Sequence, residues 1–232
     1  MKSLAILLAG AAAGLVAAPA AAQVAGIATS STEGVFYRAA ARTAAYQQIQ
    51  TQYASQLQQI TTVRNEIQTL LKSLDTNNDN QLSDQERNAK PAVLTQVQQK
   101  EQQVNTLATP ISLAQAYALD QLAREYDAAR QQVITAKRIQ IMLAPDAIQW
   151  GPPAVDVTND IVTALNTRRP TVPIAVPAGW QPTREIVQLQ QTIQQISIAA
   201  AQQQAAAAQQ QRPAATPAPA PAQQQPPRPT GR

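Results

Sequence analysis

From Val35 to Leu74 the apolar positions fall at Tyr46, Ile49, Tyr53, Leu57, Ile60, Val63, Ile67, Leu70 and Leu74, in steps of three or four. No proline or glycine interrupts the run, and Gln, Thr and Asn flank it. That spacing predicts a long helix with one narrow apolar seam, packed against a partner helix rather than buried all round. Ser30, Ser31 and Thr32 supply N-cap candidates, with Glu33 in the first turn. A polar stretch, residues 75–86, stops the seam. Helical spacing resumes at Pro91 with Val93, Leu94, Val97, Val104 and Leu107, and Pro110 is expected to break or kink it. Leu113, Ala116, Tyr117, Leu122, Tyr126, Ala129, Val133 and Ile134 then carry the pattern to Arg138. Two similar limbs around a polar stretch predict an antiparallel helical hairpin, its tip near residues 75–90 and each limb about 50–70 Å long. A hairpin that long has too little core to stand alone, so a base domain or oligomerisation must support it.

The base is predicted from shorter patterns on both sides of the hairpin. Residues 24–28 read as a first strand with Gly26 inside it. Residues 139–143 and 147–150 read as the two strands of a β hairpin, turned by Ala144-Pro145-Asp146 and closed by Gly151-Pro152-Pro153. Val155-Asp156-Val157-Thr158 opens a helix with Ile161, Val162 and Leu165 on one face. Residues 170–180 are extended and proline-punctuated, consistent with an edge strand. The fold class is mainly α with a small β platform: a coiled-coil arm on a short-stranded core. A Gln/Ala-rich helix is expected over residues 181–211, with Ile186, Leu189, Ile193 and Ile196 at helical spacing. Residues 212–232, rich in Pro, Ala and Gln, are expected to be a disordered tail. The division is therefore 1–22, 23–38, 39–138 for the arm, 139–180 for the rest of the core, 181–211 and 212–232.

Composition changes this picture at the N-terminus. Met1-Lys2, an apolar run over residues 4–18 and Pro19-Ala20-Ala21-Ala22 read as a cleaved export signal, with cleavage before Gln23. The run is shorter than a bilayer span needs. Export implies the periplasm. The chain has no cysteine and no histidine, which removes thiol and imidazole catalysis and ligation, and a lipoprotein anchor as well. With charged residues at 14% and no paired acids in an apolar setting, no enzyme is expected. The net charge of +4 is too diffuse for a nucleic-acid footprint.

One local motif stands apart. Asp75-Thr76-Asn77-Asn78-Asp79-Asn80-Gln81-Leu82-Ser83-Asp84-Gln85-Glu86 matches the EF-hand calcium loop over twelve positions. Asp75, Asn77 and Asp79 supply side-chain oxygens, Gln81 a backbone carbonyl, Ser83 a water bridge and Glu86 a bidentate carboxylate for Ca²⁺. Asn80 stands where glycine is usual, and asparagine tolerates the left-handed turn better than other side chains. Without a paired second loop, an affinity of about 10⁻⁴ to 10⁻³ M is expected. The alternative is a polar tip that only turns the chain.

The order of elements resembles the Skp/OmpH family, over about residues 24–178. The telling stretch is Ile139-Gln140-Ile141-Met142-Leu143-Ala144-Pro145-Asp146-Ala147-Ile148-Gln149-Trp150, followed by Val155-Asp156-Val157-Thr158-Asn159-Asp160-Ile161. The resemblance implies a periplasmic, ATP-independent holdase that keeps unfolded outer-membrane proteins from aggregating. It also implies a homotrimer whose platforms join in one small barrel with hairpins hanging as tentacles, in reach of the membrane surface or the outer-membrane assembly machinery. The arms carry far more Gln than Lys or Arg, which argues against a strongly electrostatic grip on clients. Small apolar residues on the arms (Ala40, Ala44, Ala45, Ala54, Ala118, Ala123) are candidate client contacts, though most are expected to be close-packed seam positions. Two other classes stay open: a periplasmic structural adaptor acting through its tail, and a calcium-dependent regulatory module.

Overall fold

A computed structural model describes residues 26–77 and 79–210. The export signal and its cleavage site, Val24, Asn78 and the tail from Arg212 lie outside them. The described chain comprises two compact units, one ending at Ile193 and one beginning at Gln194, and each is treated by itself.

The chain enters through Gly26, whose φ of +72° suits a residue without Cβ. The Gly26 carbonyl accepts the N–H groups of Gln140 and Ile141 at 2.7 and 3.0 Å, so the two ends of the hairpin meet at this turn. β1 (Ile27–Thr29) pairs in parallel with β2 (Ile141–Leu143), in the register Ile27 to Ile141, Ala28 to Met142 and Thr29 to Leu143. On its other side Thr29 forms an isolated parallel bridge with Asp156. The strand expected over 24–28 is thus found slightly later.

The expected β hairpin is not formed. Pro145–Ala147 is a 3-10 turn, residues 148–150 join no ladder, and Trp150 is 85% exposed. Pro145 fixes a helical φ and turns the chain away from β2, and β2 finds its partner in β1, more than a hundred residues earlier. Residues 170–180 form no edge strand either; they join no ladder, and a turn at 178–179 brings the Trp180 N–H to the Pro177 carbonyl at 3.1 Å.

The outgoing limb is α1 (Thr32–Arg38), α2 (Ala40–Gln52) and α3 (Ala54–Leu74). Ser31 caps α1, its hydroxyl accepting the Gly34 N–H at 2.9 Å. The uninterrupted helix expected here breaks at Ala39 (ψ 124°), where Asn166 Oδ1 accepts the Ala40 N–H at 2.9 Å. A residue 126 positions away caps the second segment, a contact that helical spacing does not encode. A milder irregularity falls at Tyr53, where φ is −102° and ψ 18°.

The return limb is α5 (Pro91–Lys137), 47 residues and so about 70 Å long. It runs through Pro110 without the expected break. Pro110 has no N–H to offer the Thr106 carbonyl, but Leu107, Ala108, Ile111 and Ala114 on either side pack into one cluster with Ile49 and Ile60. That burial holds the helix together. α5 ends at Arg138 in the left-handed conformation (φ 54°, ψ 42°). α6 (Thr158–Arg168) buries Ile161 and Leu165 and is led in by Asp156, whose Oδ1 accepts the Thr158 N–H at 2.9 Å.

The core is graded along the arm. At the root, Val35, Phe36, Leu119, Leu122, Ile161 and Leu165 lie in one large cluster that α1, α5 and α6 build together. Above it, α3 and α5 share a single seam: Ile60, Val63, Leu74 and Val97 are buried, while Leu57, Ile67 and Leu70 are half-buried. Lys100 Nζ and Glu66 Oε2 pair across that seam. α7 (Arg184–Gln210) buries Ile186 and Ile193 on the root. In the second unit it continues as a Gln/Ala-rich helix. No helix among the described residues is long and apolar enough to cross a membrane.

Candidate functional site: the upper arm, its tip and the open sheet edge

Above residue 53 most exposed positions of the arm are Gln, Thr, Asn or Ser, with scattered charges such as Arg64, Glu66, Lys72 and Glu101 between them. An open groove of about 490 Å³ between the limbs is walled by Ser55, Gln58, Gln59 and Thr62 on one side and Lys100 and Gln103 on the other. A second, of about 460 Å³, lies nearer the tip beside Asn65, Thr69 and Leu70. Neither groove gathers a nucleophile and a base. Each offers amide and hydroxyl hydrogen bonds next to thin apolar strips, a chemistry suited to many weak contacts with an extended chain. Of the six alanines considered as contacts, Ala40, Ala44 and Ala54 are exposed, Ala123 is half-buried, and Ala45 and Ala118 are packed inside. The expectation that most are seam positions therefore fits only part of the set.

The tip is ordered by its own side chains. Asp75 Oδ2 accepts the Asn80 N–H at 2.9 Å, and Asn80 takes the left-handed conformation (φ 59°) expected of it. Asn77 Oδ1 accepts the Asp79 N–H at 3.1 Å, and Asp79 Oδ1 accepts the Gln81 N–H at 2.7 Å. These bonds tie Asn80 back to Asp75, and Asn77 to Asp79 and Asp79 on to Gln81. Asp75 Oδ1 is buried without a hydrogen-bond partner, which leaves an acceptor available to a cation.

The second half of the loop is organised around Glu86. It lies on α4 (Asp84–Ala89), which Ser83 caps in a reciprocal capping box with Glu86. Glu86 Oε2 accepts from the Ser83 N–H at 3.0 Å and the Ser83 hydroxyl at 2.8 Å. Its Oε1 accepts from the Thr76 N–H at 2.8 Å and the Thr76 hydroxyl at 2.9 Å. The Ser83 hydroxyl, then the Thr76 and Ser83 N–H groups and the Thr76 hydroxyl, hold the Glu86 carboxyl down at about 2 rather than 4.5. Glu86 thus clasps the two halves of the loop. Its oxygens are engaged with Thr76 and Ser83, and among the described residues no three Asp, Glu, His or Cys side chains converge as a metal cluster. Sequence reading gave Ser83 and Glu86 to a metal. The same Ser-x-x-Glu spacing is also a capping-box signature, and that signal was legible.

At the other end, β2 presents its outer side: Ile141 is 51% and Leu143 36% exposed, with Ile27 at 38% on β1. Trp150 projects from the neighbouring loop. Among the described residues nothing pairs with that edge.

The class defined by these features is a long helical hairpin arm, polar and grooved above, rooted on a minimal parallel β core. Residues 26–165 match the family described as outer membrane protein (OmpH-like). The chain belongs to this OmpH-like family, and membership gives it a chaperone role in general terms. A crystal structure of a candidate outer membrane chaperone (OmpH-like) from Caulobacter crescentus CB15 is similar at 20% identity, covering 64% of this chain and 88% of that one, with a TM-score of 0.41. The family assignment rests on the match over residues 26–165. No curated protein sequence matches the chain.

Proposed function

We propose that this protein is a periplasmic, ATP-independent holdase for unfolded outer-membrane β-barrel proteins, and that its upper arm is the working surface. The observation that carries this is the gradient along the arm: a thick apolar core at the root and a single seam with polar, grooved flanks above. Unfolded barrel strands alternate apolar and polar residues and aggregate through unpaired edges. An arm offering thin apolar strips beside amide groups can hold such strands at many weak points, and those points sum through effective concentration. The grip is physical and makes no covalent bond, so no catalytic residue is required.

Assembly follows from the open edge of β2. Its unpaired backbone groups with Ile141, Leu143 and Trp150 favour joining to other copies of this chain, which removes the edge. A homotrimer is the arrangement that sets the arms around a shared cavity. The test is to dilute a urea-unfolded outer-membrane porin into the purified mature chain and follow light scattering. Suppression saturating near one trimer per client is expected. Unchanged aggregation by a folded, oligomeric chain would overturn the holdase reading in favour of a structural adaptor.

The orphaned Oδ1 of Asp75 supports a second element, weak Ca²⁺ binding at the tip. Asp75, Asn77 and Asp79, with the Gln81 carbonyl and Ser83, would hold the ion, and Glu86 would leave its Thr76 bonds to complete the set. Calcium at millimolar concentration is expected to slow amide exchange over residues 75–86 while leaving oligomeric state untouched. No change at 10 mM calcium would remove the metal from the account, and loss of the oligomer on chelation would contradict a role confined to the tip.

A further inference from the structure

The family match ends at residue 165, yet the chain beyond it does not simply leave the fold. Residues 170–193 run back along α5. Val172, Ile186 and Ile193 are buried in the root cluster, and Trp180 and Leu189 pack against it. Ile174 touches both the root cluster and the one above it, and Val176 touches the upper one.

The polar ties are specific. Gln121, only 7% exposed, donates from Nε2 to the Pro173 carbonyl at 2.9 Å and accepts from Arg169 Nη2 on Oε1 at 3.0 Å. Gln190 Nε2 donates to the Ser112 carbonyl at 3.2 Å and to Gln115 Oε1 at 3.3 Å. Tyr117 meets Trp180 edge to face, with ring centroids 5.1 Å apart. These polar and aromatic grips on α5, at residues 112, 115, 117 and 121, lie on the root side of Pro110, and above them the segment adds only the apolar contacts of Ile174 and Val176.

The level just above the grips is the weak point of both limbs. Pro110 leaves the Thr106 carbonyl without its helical donor, and the outgoing limb loses its regular conformation at Tyr53. Tyr53, Leu107 and Ala108 pack in the same cluster as Ile111, so the two irregularities stand at one height.

We propose that residues 170–193 form a splint that stiffens the root of the arm and confines its bending to the level of Tyr53 and Pro110. A splinted root keeps the platform edge and the arm base in fixed relation, while the upper arm swings. The splint is held by its buried apolar residues, by neutral amides and by one aromatic pair, with the Arg169 guanidinium donating to Gln121 where the segment begins. Undocking would let the bend spread down toward the core. This inference stands apart from the holdase reading, since it concerns where the arm bends and not what it holds.

The test is amide hydrogen exchange on the full-length chain and on a Trp180→Ala/Gln190→Ala double variant. In the parent, residues 113–126 should exchange at least tenfold more slowly than residues 53–56 and 106–111. In the variant, residues 113–126 should lose at least tenfold of protection while α6 keeps its own. Unchanged exchange at 113–126 would overturn the splint. Equal loss across α1 and α6 would also overturn it, because the segment would then be ordinary core. A second measurement covers a variant that fails to fold. The chain has no cysteine, so a Gln115→Cys/Gln190→Cys pair can be joined by a short bismaleimide. The joined splint should leave exchange at 53–56 and 106–111 within twofold of the parent. Strong slowing there would mean that bending depends on undocking, contrary to the proposal.

Discussion

The root and the upper arm are built from the same two helical limbs and differ in what covers them. At the root, α5 is enclosed by α1, α2, α6 and residues 170–193, and Leu119 and Leu122 are fully buried. Above Pro110 its main partner is α3, and much of its remaining surface carries Gln, Asn and Thr against water. The same residue type therefore carries different weight in the two places. A leucine at the root sits in a cluster shared by several elements, whereas an isoleucine above lies mainly between the two limbs. The root is what makes the chain fold. A single seam buries less apolar surface than the root cluster, and under the proposed function that would let the upper arm adapt to clients without fixed shape.

The largest effect should separate the two regions directly. Leu119→Ala leaves a void in the fully buried root cluster and is expected to cost about 3–5 kcal/mol, lowering the midpoint of the whole unfolding transition in urea. Ile60→Ala, in the single seam, should cost about 2 kcal/mol, because a two-helix layer collapses onto the gap more readily. Its effect should appear as faster amide exchange in α3 and the facing part of α5 only. Equal global losses from the two variants would erase the distinction between root and upper arm.

A smaller effect concerns the tip. The folded Glu86 carboxyl, at about 2, lies below its ordinary 4.5, so its bonds to Ser83 and Thr76 are fully present above pH 4.5 and lost as pH falls toward 2. Amide chemical shifts of Thr76 and Ser83 should titrate in that window while root amides stay still. Glu86→Gln should remove the titration. A tip that loosens already above pH 4.5 would mean that another group clasps it.

The smallest effect is at the base of α5. Arg138 holds a left-handed conformation that disfavours side chains with Cβ. Arg138→Gly should stabilise the root by up to about 1 kcal/mol, read as a small rise in thermal midpoint. A fall instead would mean that the arginine side chain contributes more than its backbone costs.

The periodicity of Tyr46 through Leu74, and of Val93 through Ile134, made the hairpin and its tip legible, because burial on one helical face follows from local spacing. The capping Ser31 and the left-handed Asn80 were legible for the same local reason. What spacing did not carry was pairing at a distance. β1 finds β2 across the whole arm, so the strands expected to form a local hairpin do not. Asn166 breaks the first helix at Ala39 from α6, and cluster packing carries α5 through Pro110 against its local chemistry. Val172, Ile174 and Val176 alternate with the exposed Thr171, Pro173, Ala175 and Pro177, a pattern that also predicts an edge strand. The alternation was real, but it marks one buried face of a strap laid on helices. Ser83 and Glu86 illustrate a different limit: one spacing serves two chemistries, the capping box that the structure contains and a calcium-loop ligand pair, and spacing alone does not choose between them.

The claim that the upper arm is the client-holding surface is tested most directly by site-specific photo-crosslinking. A photoreactive side chain would be placed at Gln58 or Gln98 on the upper arm, or at Thr163 on α6, all exposed, and the chain mixed with an unfolded porin. Crosslinks to the porin from Gln58 and Gln98, with little from Thr163, are the predicted result. Crosslinks concentrated at Thr163, or none from the upper arm under conditions where aggregation is suppressed, would contradict it.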